Sequence, residues 1–86
     1  MAADGYVYNT TNQNTQYFST TGTYDVLFTR SISVLLITLS GTNNMSLDGT
    51  NFMPLTAGTY QFTNLGFVNR LYFTGTGTRT GFGIAT

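Results

Sequence analysis

The chain has 86 residues and no net charge, and its charged side chains are three Asp and three Arg. It contains no His, Cys, Glu, Lys or Trp. Proton transfer by imidazole, attack or soft-metal binding by a thiolate, and Schiff-base chemistry of a lysine are therefore excluded. The sequence predicts a non-enzymatic protein without metal or cofactor, which builds β-structure and contacts its neighbours.

The low charge also limits the classes of partner. Charged residues make up 7% of the chain, against roughly 25% in typical globular domains. Three Arg balanced by three Asp form no basic patch for nucleic acid. Residues 1–4 lack the features of a signal peptide, and no apolar run is long enough to span a membrane. We expect cytoplasmic synthesis, no nucleic acid or membrane partner, and a surface that lies against other protein.

Residues 1–23 are predicted to form an extended polar N-terminal arm. Four aromatic residues stand in this otherwise polar stretch: Tyr6, Tyr8, Tyr17 and Phe18. Two interpretations remain open. The arm adds an edge strand to its own domain, or it lies on a neighbouring subunit with these aromatic residues as anchors.

Residues 24–86 are predicted to form one β-domain. Apolar residues alternate with other residues from Tyr24 to Phe28, which is the period of a half-buried strand. Residues 33–39 are apolar on both faces, as in a central strand of a sandwich. Further short alternating segments follow at 45–48, 59–63, 71–74 and 82–85. This spacing of strands and turns predicts an all-β fold, a small antiparallel β-sandwich of jelly-roll type.

The buried face of the central strand is left open by its sequence. We place Val34 and Leu36 in the core, so that Leu35, Ile37 and Leu39 form an outer aliphatic stripe. Such a stripe is either an interface or is covered within the monomer. The remaining predicted core residues are Val26, Phe28, Leu47, Tyr60, Phe62, Leu71, Phe73 and Ile84.

Two segments imitate binding loops. Residues 44–49 match the first half of a calcium loop, but Leu55 occupies the position of the required bidentate carboxylate. A β-hairpin with an Asp-Gly turn explains these residues. The Gly/Thr run at 75–81 lacks the Lys and the glycine spacing of a phosphate loop. It predicts a turn or a flat strand.

The charged and aromatic side chains favour contact over catalysis. Asp25 is expected to form an ion pair with Arg30 or Arg70, which is the usual fate of an isolated carboxylate. Tyr and Asn on a β-surface are typical of glycan recognition. Tyr and Arg without Lys and Glu are typical of protein interfaces. We favour the protein interface and keep the glycan site as the alternative.

A further pattern runs through the second half of the chain. It consists of a strand at 34–39, a short hairpin ending in Gly at 45–49, a Pro-to-Gly-to-Phe step at 54–62, and a strand closing in Thr-Gly-Thr-Gly at 71–77. This pattern resembles a small β-sandwich module of tailed-phage virion proteins. The resemblance implies capsid decoration, head-fibre or tail roles without catalysis, commonly as symmetric oligomers.

The resemblance directs our functional expectation. We expect a capsid decoration or cement protein in the virion, which stabilises the shell through contacts with the major capsid protein and other virion proteins. A homo-oligomer is expected, with a trimer as the working assumption. The alternative is a glycan-binding module of a fibre or tail tip. The predicted interface residues are Tyr6, Tyr8, Tyr17, Phe18, Leu35, Ile37 and Leu39.

Overall fold

The computed structural model describes residues 3–6, 8–9, 14–66 and 68–85. All regular secondary structure in this part of the chain is β-strand, which confirms the predicted all-β class. The strands are β1 (Ala3–Tyr6), β2 (Tyr8–Asn9), β3 (Thr15–Thr21), β4 (Tyr24–Ser40), β5 (Asn43–Ser46), β6 (Met53–Leu55), β7 (Gly58–Phe62), β8 (Val68–Thr74) and β9 (Thr78–Ala85). No helix in these residues is long and apolar enough to cross a membrane.

The long strand β4 organises the fold. Its first part pairs in parallel with β1 and antiparallel with β8. Its second part pairs antiparallel with β9 and β7. We call β1, β4, β8, β5 and β6 the first half-sheet, and β2, β3, β9, β4 and β7 the second half-sheet. The two half-sheets share β4 and enclose one apolar core, as expected of a small sandwich.

A β-bulge in β4 determines which side chains reach this core. Ile32 pairs with Ala85 and Val34 pairs with Ile84, so β4 advances by two residues while β9 advances by one. Because side chains alternate across a strand, one extra residue moves all later side chains to the opposite face. The buried apolar residues of β4 are Val26, Phe28 and Ile32 before the bulge, and Leu35, Ile37 and Leu39 after it.

The bulge corrects the predicted core. Val34 and Leu36 are only half-buried, and Leu35, Ile37 and Leu39 fill the core in their place. The predicted outer stripe at these three positions is therefore wrong. Val26, Phe28, Leu71 and Phe73 are buried as predicted, whereas Tyr60, Phe62 and Ile84 are half-buried and Leu47 is exposed.

The described part of the N-terminal segment pairs with its own domain. Strand β1 pairs with β4, β2 pairs with β3, and β3 pairs with β9 over seven residues. Phe18 of β3 lies in the core, with its ring centroid 6.0 Å from that of Phe28 and 6.2 Å from that of Phe73. Residues 15–21 are thus an interior strand of the sandwich between β2 and β9, so they belong to their own domain but are not the edge strand of the first interpretation.

Candidate interaction surface

The second half-sheet presents a charge-free surface, which we call the outer face. Gln16 and Phe18 of β3, and Gly83 of β9, are buried, so the alternate side chains of these strands point outward. The same alternation applies to β4 after the bulge and to β7. The outer face comprises Thr15, Tyr17, Ser19, Thr21, Val34, Leu36, Thr38, Ser40, Thr59, Gln61, Thr78, Thr80, Phe82 and Ile84.

An apolar patch occupies part of the outer face. Strand register places Tyr17 beside Phe82, Phe82 beside Leu36, and Val34 beside Ile84. The rings of Tyr17 and Phe82 lie 5.5 Å apart between centroids at an angle of 57°. Tyr17 is 46% exposed, and the other four side chains are half-buried. We call these five residues the apolar patch, which has the composition of a protein contact surface.

Two rows of hydroxyl groups continue the outer face beyond the apolar patch. One row runs through Ser19, Thr80, Thr38 and Thr59, and the next through Thr21, Thr78 and Ser40. All seven side chains are exposed. The hydroxyl oxygens of Thr38 and Thr59 lie 3.3 Å apart and form a cross-strand hydrogen bond. These groups both donate and accept, so they can form a polar rim beside the patch.

Glycines in β9 explain why large side chains point outward. Gly81 and Gly83 face the core, while Phe82 and Ile84 face out. A Cβ at Gly83 would lie 2.7 Å from the Ile32 side chain, and one at Gly81 would clash with the backbone of β4. At positions 81 and 83 the inner side of β9 therefore has room only for glycine. The large apolar residues of this strand, Phe82 and Ile84, lie at the alternate positions and point outward.

The predicted interface residues with described side chains divide into one exposed residue and four buried residues. Tyr17 lies on the outer face and is exposed. Four residues have exposures between 0% and 3% and belong to the core: Phe18, Leu35, Ile37 and Leu39. The side chains of Tyr6 and Tyr8 lie outside the described residues. Sequence reasoning missed Leu36 and Phe82, although the alternation of Gly with Phe and Ile at 81–84 was a usable signal.

The ion pair expected for Asp25 forms with Arg70. Arg70 Nη1 is 3.4 Å from Asp25 Oδ2 on the first half-sheet, which confirms one of the two predicted ion pairs. The Arg70 guanidinium also lies 5.7 Å from the centroid of the Tyr72 ring. An ion pair with a partly exposed cation contributes little to stability, about 0–1 kcal/mol.

Arg79 is fully buried beneath the outer face. Its Nε and Nη2 donate to Asn43 Oδ1 at 3.0 and 2.6 Å, and its guanidinium lies 4.6 Å from the Phe73 ring centroid. Further hydrogen bonds go to Thr20 Oγ1, Gly22 O and Gly77 O. Burial lowers the pKa of Arg79. Its bonds tie β9 to β5 and to the β3–β4 turn, so this residue joins the two half-sheets.

The calcium-like segment lies in the β5–β6 hairpin, as predicted, but residues 47–52 connect the strands, which is a longer loop than the expected Asp-Gly turn. Asp48 Oδ1 accepts hydrogen bonds at 2.8 Å from Ser46 Oγ, Thr50 N and Asn51 N, and Asp48 Oδ2 accepts one from Asn51 Nδ2. The carboxylate is thus engaged by its own loop. Among the described residues there is no enclosed pocket and no group of three acidic, His or Cys side chains that could hold a metal.

Asp48→Asn should change the acid dependence of stability. Hydrogen bonds from Asn51 and Thr50, and then from Ser46, hold the pKa of Asp48 well below its ordinary value. Because the folded-state pKa is the lower one, the stabilisation is present above about pH 4 and is lost as the pH falls through the folded pKa. Urea unfolding midpoints should therefore decline less for Asp48→Asn than for the wild type as the pH falls below about 4. Parallel curves would contradict this assignment.

Comparison with known proteins adds no information on function, so function is inferred from the surface. No family model, curated protein or solved structure matched the chain. The properties that bear on function are the lack of charge on the outer face, its apolar patch and its hydroxyl rows.

Proposed function

We propose that this chain is a non-enzymatic structural protein that attaches to other protein subunits through its outer face. The observation that carries the proposal is an apolar patch, containing an exposed Tyr17, on a sheet face without a charged side chain. Burial of apolar surface contributes roughly 25 cal/mol per Å². Hydroxyl rows beside the patch supply hydrogen bonds without the desolvation cost of charged groups.

Within this class, we propose a capsid decoration or cement protein of a tailed phage. Support comes from the resemblance of residues 34–39, 45–49, 54–62 and 71–77 to small virion modules. A decoration protein would stabilise the shell by covering apolar surface of capsid subunits with its own patch. Such attachment depends on apolar contact and shape, so it should be insensitive to salt, unlike attachment through charged groups.

The proposal predicts that the chain copurifies with virus particles. Particles from a culture that produces the chain would be purified on a density gradient in low and in 1 M salt, and their proteins quantified by mass spectrometry. We expect many copies per particle in both salts. Recovery of the chain only in the soluble fraction would contradict the virion role.

Glycan binding is the second candidate. The tilted rings of Tyr17 and Phe82, 5.5 Å apart, lie beside exposed hydroxyl groups and would suit the face of a sugar. A glycan array with the purified chain separates the two functions. Reproducible binding that is lost in Tyr17→Ala would favour a receptor-binding module, and absence of binding would favour the structural role.

A further inference from the structure

The edge strands of the described structure differ in how they resist pairing with another chain. Natural sheet edges are protected by short length, charged residues, Pro or bulges. Strand β1 carries Asp4, β2 has two residues, and β6 has three residues including Pro54. Each of these edges therefore has at least one protecting feature.

Strand β7 has none of these features. It pairs with β4 through five consecutive residues without a register shift, and among the described residues no strand pairs with its other side. Its sequence is Gly58-Thr59-Tyr60-Gln61-Phe62, which contains no charge and no Pro. An edge of this kind is a template for strand addition.

The core is also incompletely covered beside β7. The partly buried apolar residues that pack against the core lie on β6, on β7, between β7 and β8, and at the start of β8: Met53, Leu55, Tyr60, Phe62, Leu65 and Val68. The rings of Tyr60 and Phe62 stack with centroids 6.2 Å apart and an interplanar angle of 10°. Strand addition at β7 would therefore extend both the backbone ladder and the apolar cover of the core.

We infer that β7 pairs antiparallel with β7 of a second copy, forming a two-fold dimer whose half-sheets are continuous. The strand is self-complementary in the register centred on Tyr60. Phe62 then stands opposite Gly58 of the second copy, where the missing side chain leaves room for the ring. A Cβ at Gly58 would have only Tyr60 within 4 Å, at 3.9 Å. Cross-strand pairing of an aromatic ring with an edge glycine is a known stabilising arrangement.

The outer side of the same register is also complementary. Thr59 stands opposite Gln61 of the second copy, and both are exposed, uncharged and able to form hydrogen bonds. With no charge on the strand, two copies approach without repulsion. Two-fold symmetry is the commonest closed arrangement of identical chains. These features favour a second copy of the chain as the partner that pairs with β7.

This inference deepens the proposed function, on which it rests for its role in assembly. Thr59 and Gln61 belong to the outer face, so the dimer would place two apolar patches on one continuous sheet surface. Two linked patches would attach to a repeating shell more strongly than one. The proposed assembly is a dimer, whereas the working assumption from sequence is a trimer.

A charge-exchange experiment tests the pairing. One chain carries Thr59→Lys with Gln61→Lys, and another carries Thr59→Glu with Gln61→Glu. We expect the wild type to sediment as a dimer, each variant alone to dissociate with a Kd at least about tenfold higher, and an equimolar mixture to recover the dimer. A merely structural effect of the substitutions would not produce recovery on mixing.

A charge-matched control places the same side chains elsewhere on the outer face. Thr78→Lys with Thr80→Lys lies on β9, which has partners on both sides, so this variant should remain dimeric. A wild type that stays monomeric, a trimeric mass, or a mixture that stays dissociated would overturn the β7 pairing. None of these results bears on copurification with particles, so the proposed function would stand or fall separately.

Discussion

Arg79→Ala is expected to lower the free energy of unfolding by about 3–5 kcal/mol. Arg79 is fully buried, and its removal leaves Asn43 Oδ1 and Gly22 O without their donor. It also opens a cavity over the Phe73 ring. The loss is a large fraction of the stability of a domain of this size, which is on the order of 4–13 kcal/mol.

Arg79→Lys separates the charge from the shape of the side chain. Lys retains a cation but lacks the planar fork that bonds Asn43 through two nitrogens, so a loss of about 2 kcal/mol is expected. Urea unfolding followed by circular dichroism measures both variants. Arg30→Ala is the matched control, because Arg30 is exposed, and it should change stability by at most about 0.5 kcal/mol. Equal stability of Arg79→Ala and the control would refute the role assigned to Arg79.

Gln16→Leu is expected to lower the free energy of unfolding by about 2–4 kcal/mol, because the Gln16 amide bonds the backbone of β4 just before the bulge. Gln16 is fully buried, and its Oε1 accepts hydrogen bonds from Thr29 N at 2.7 Å and Thr29 Oγ1 at 2.9 Å. Its Nε2 donates to Arg30 O at 3.0 Å. Leu keeps similar volume but supplies none of these bonds. The backbone leading into the bulge would lose its anchor on β3.

The same substitution on an exposed strand provides the comparison for Gln16. Gln61→Leu lies on β7, where the side chain is exposed, and should alter stability by at most about 0.5 kcal/mol. Both variants would be unfolded in urea at a protein concentration below that of any association. Native-state hydrogen exchange at Thr29 and Arg30 should increase in Gln16→Leu. Unchanged exchange at these two residues would show that other contacts hold this segment of β4.

Strand content and turn positions were readable from the sequence because they depend on local patterns. Alternation from Tyr24 to Phe28 predicted a strand that the structure contains. The hairpin of β5 and β6 was also predicted, although its loop is longer than the expected Asp-Gly turn. These patterns require no knowledge of which strands become neighbours.

The orientation of the central strand could not be read in the same way. Its two faces are both apolar, and the choice between them depends on one extra residue between Ile32 and Val34. The segment of β4 before the bulge is bonded to Gln16, which lies 13 residues from Thr29, so its position depends on a long-range contact. Alternation alone therefore placed Leu36 in the core and Leu35 on the outer surface, which is the reverse of the observed arrangement.

The candidate surface was only partly predictable for the same reason. Tyr17 was recognised as an isolated aromatic residue, but its neighbours on the outer face come from distant strands. The best local signal was the alternation of Gly81 and Gly83 with Phe82 and Ile84. In an ordinary half-buried strand the large apolar residues face the core. Here the inward positions are glycine, so the alternation indicated an outward apolar surface.

The most direct test measures how many copies of the chain each particle carries when the apolar patch is altered. The test variant is Leu36→Thr with Phe82→Thr. The matched control is Leu47→Thr with Phe52→Thr, which makes the same changes at exposed positions on the β5–β6 hairpin. Unfolding curves would confirm that both variants are folded under the conditions of the assay.

Truncation of two anchors within a contact surface should lower the bound copies at least about tenfold, as measured by quantitative mass spectrometry of purified particles. The control should match the wild type. Undiminished binding of the folded Leu36→Thr, Phe82→Thr variant would contradict attachment through the outer face.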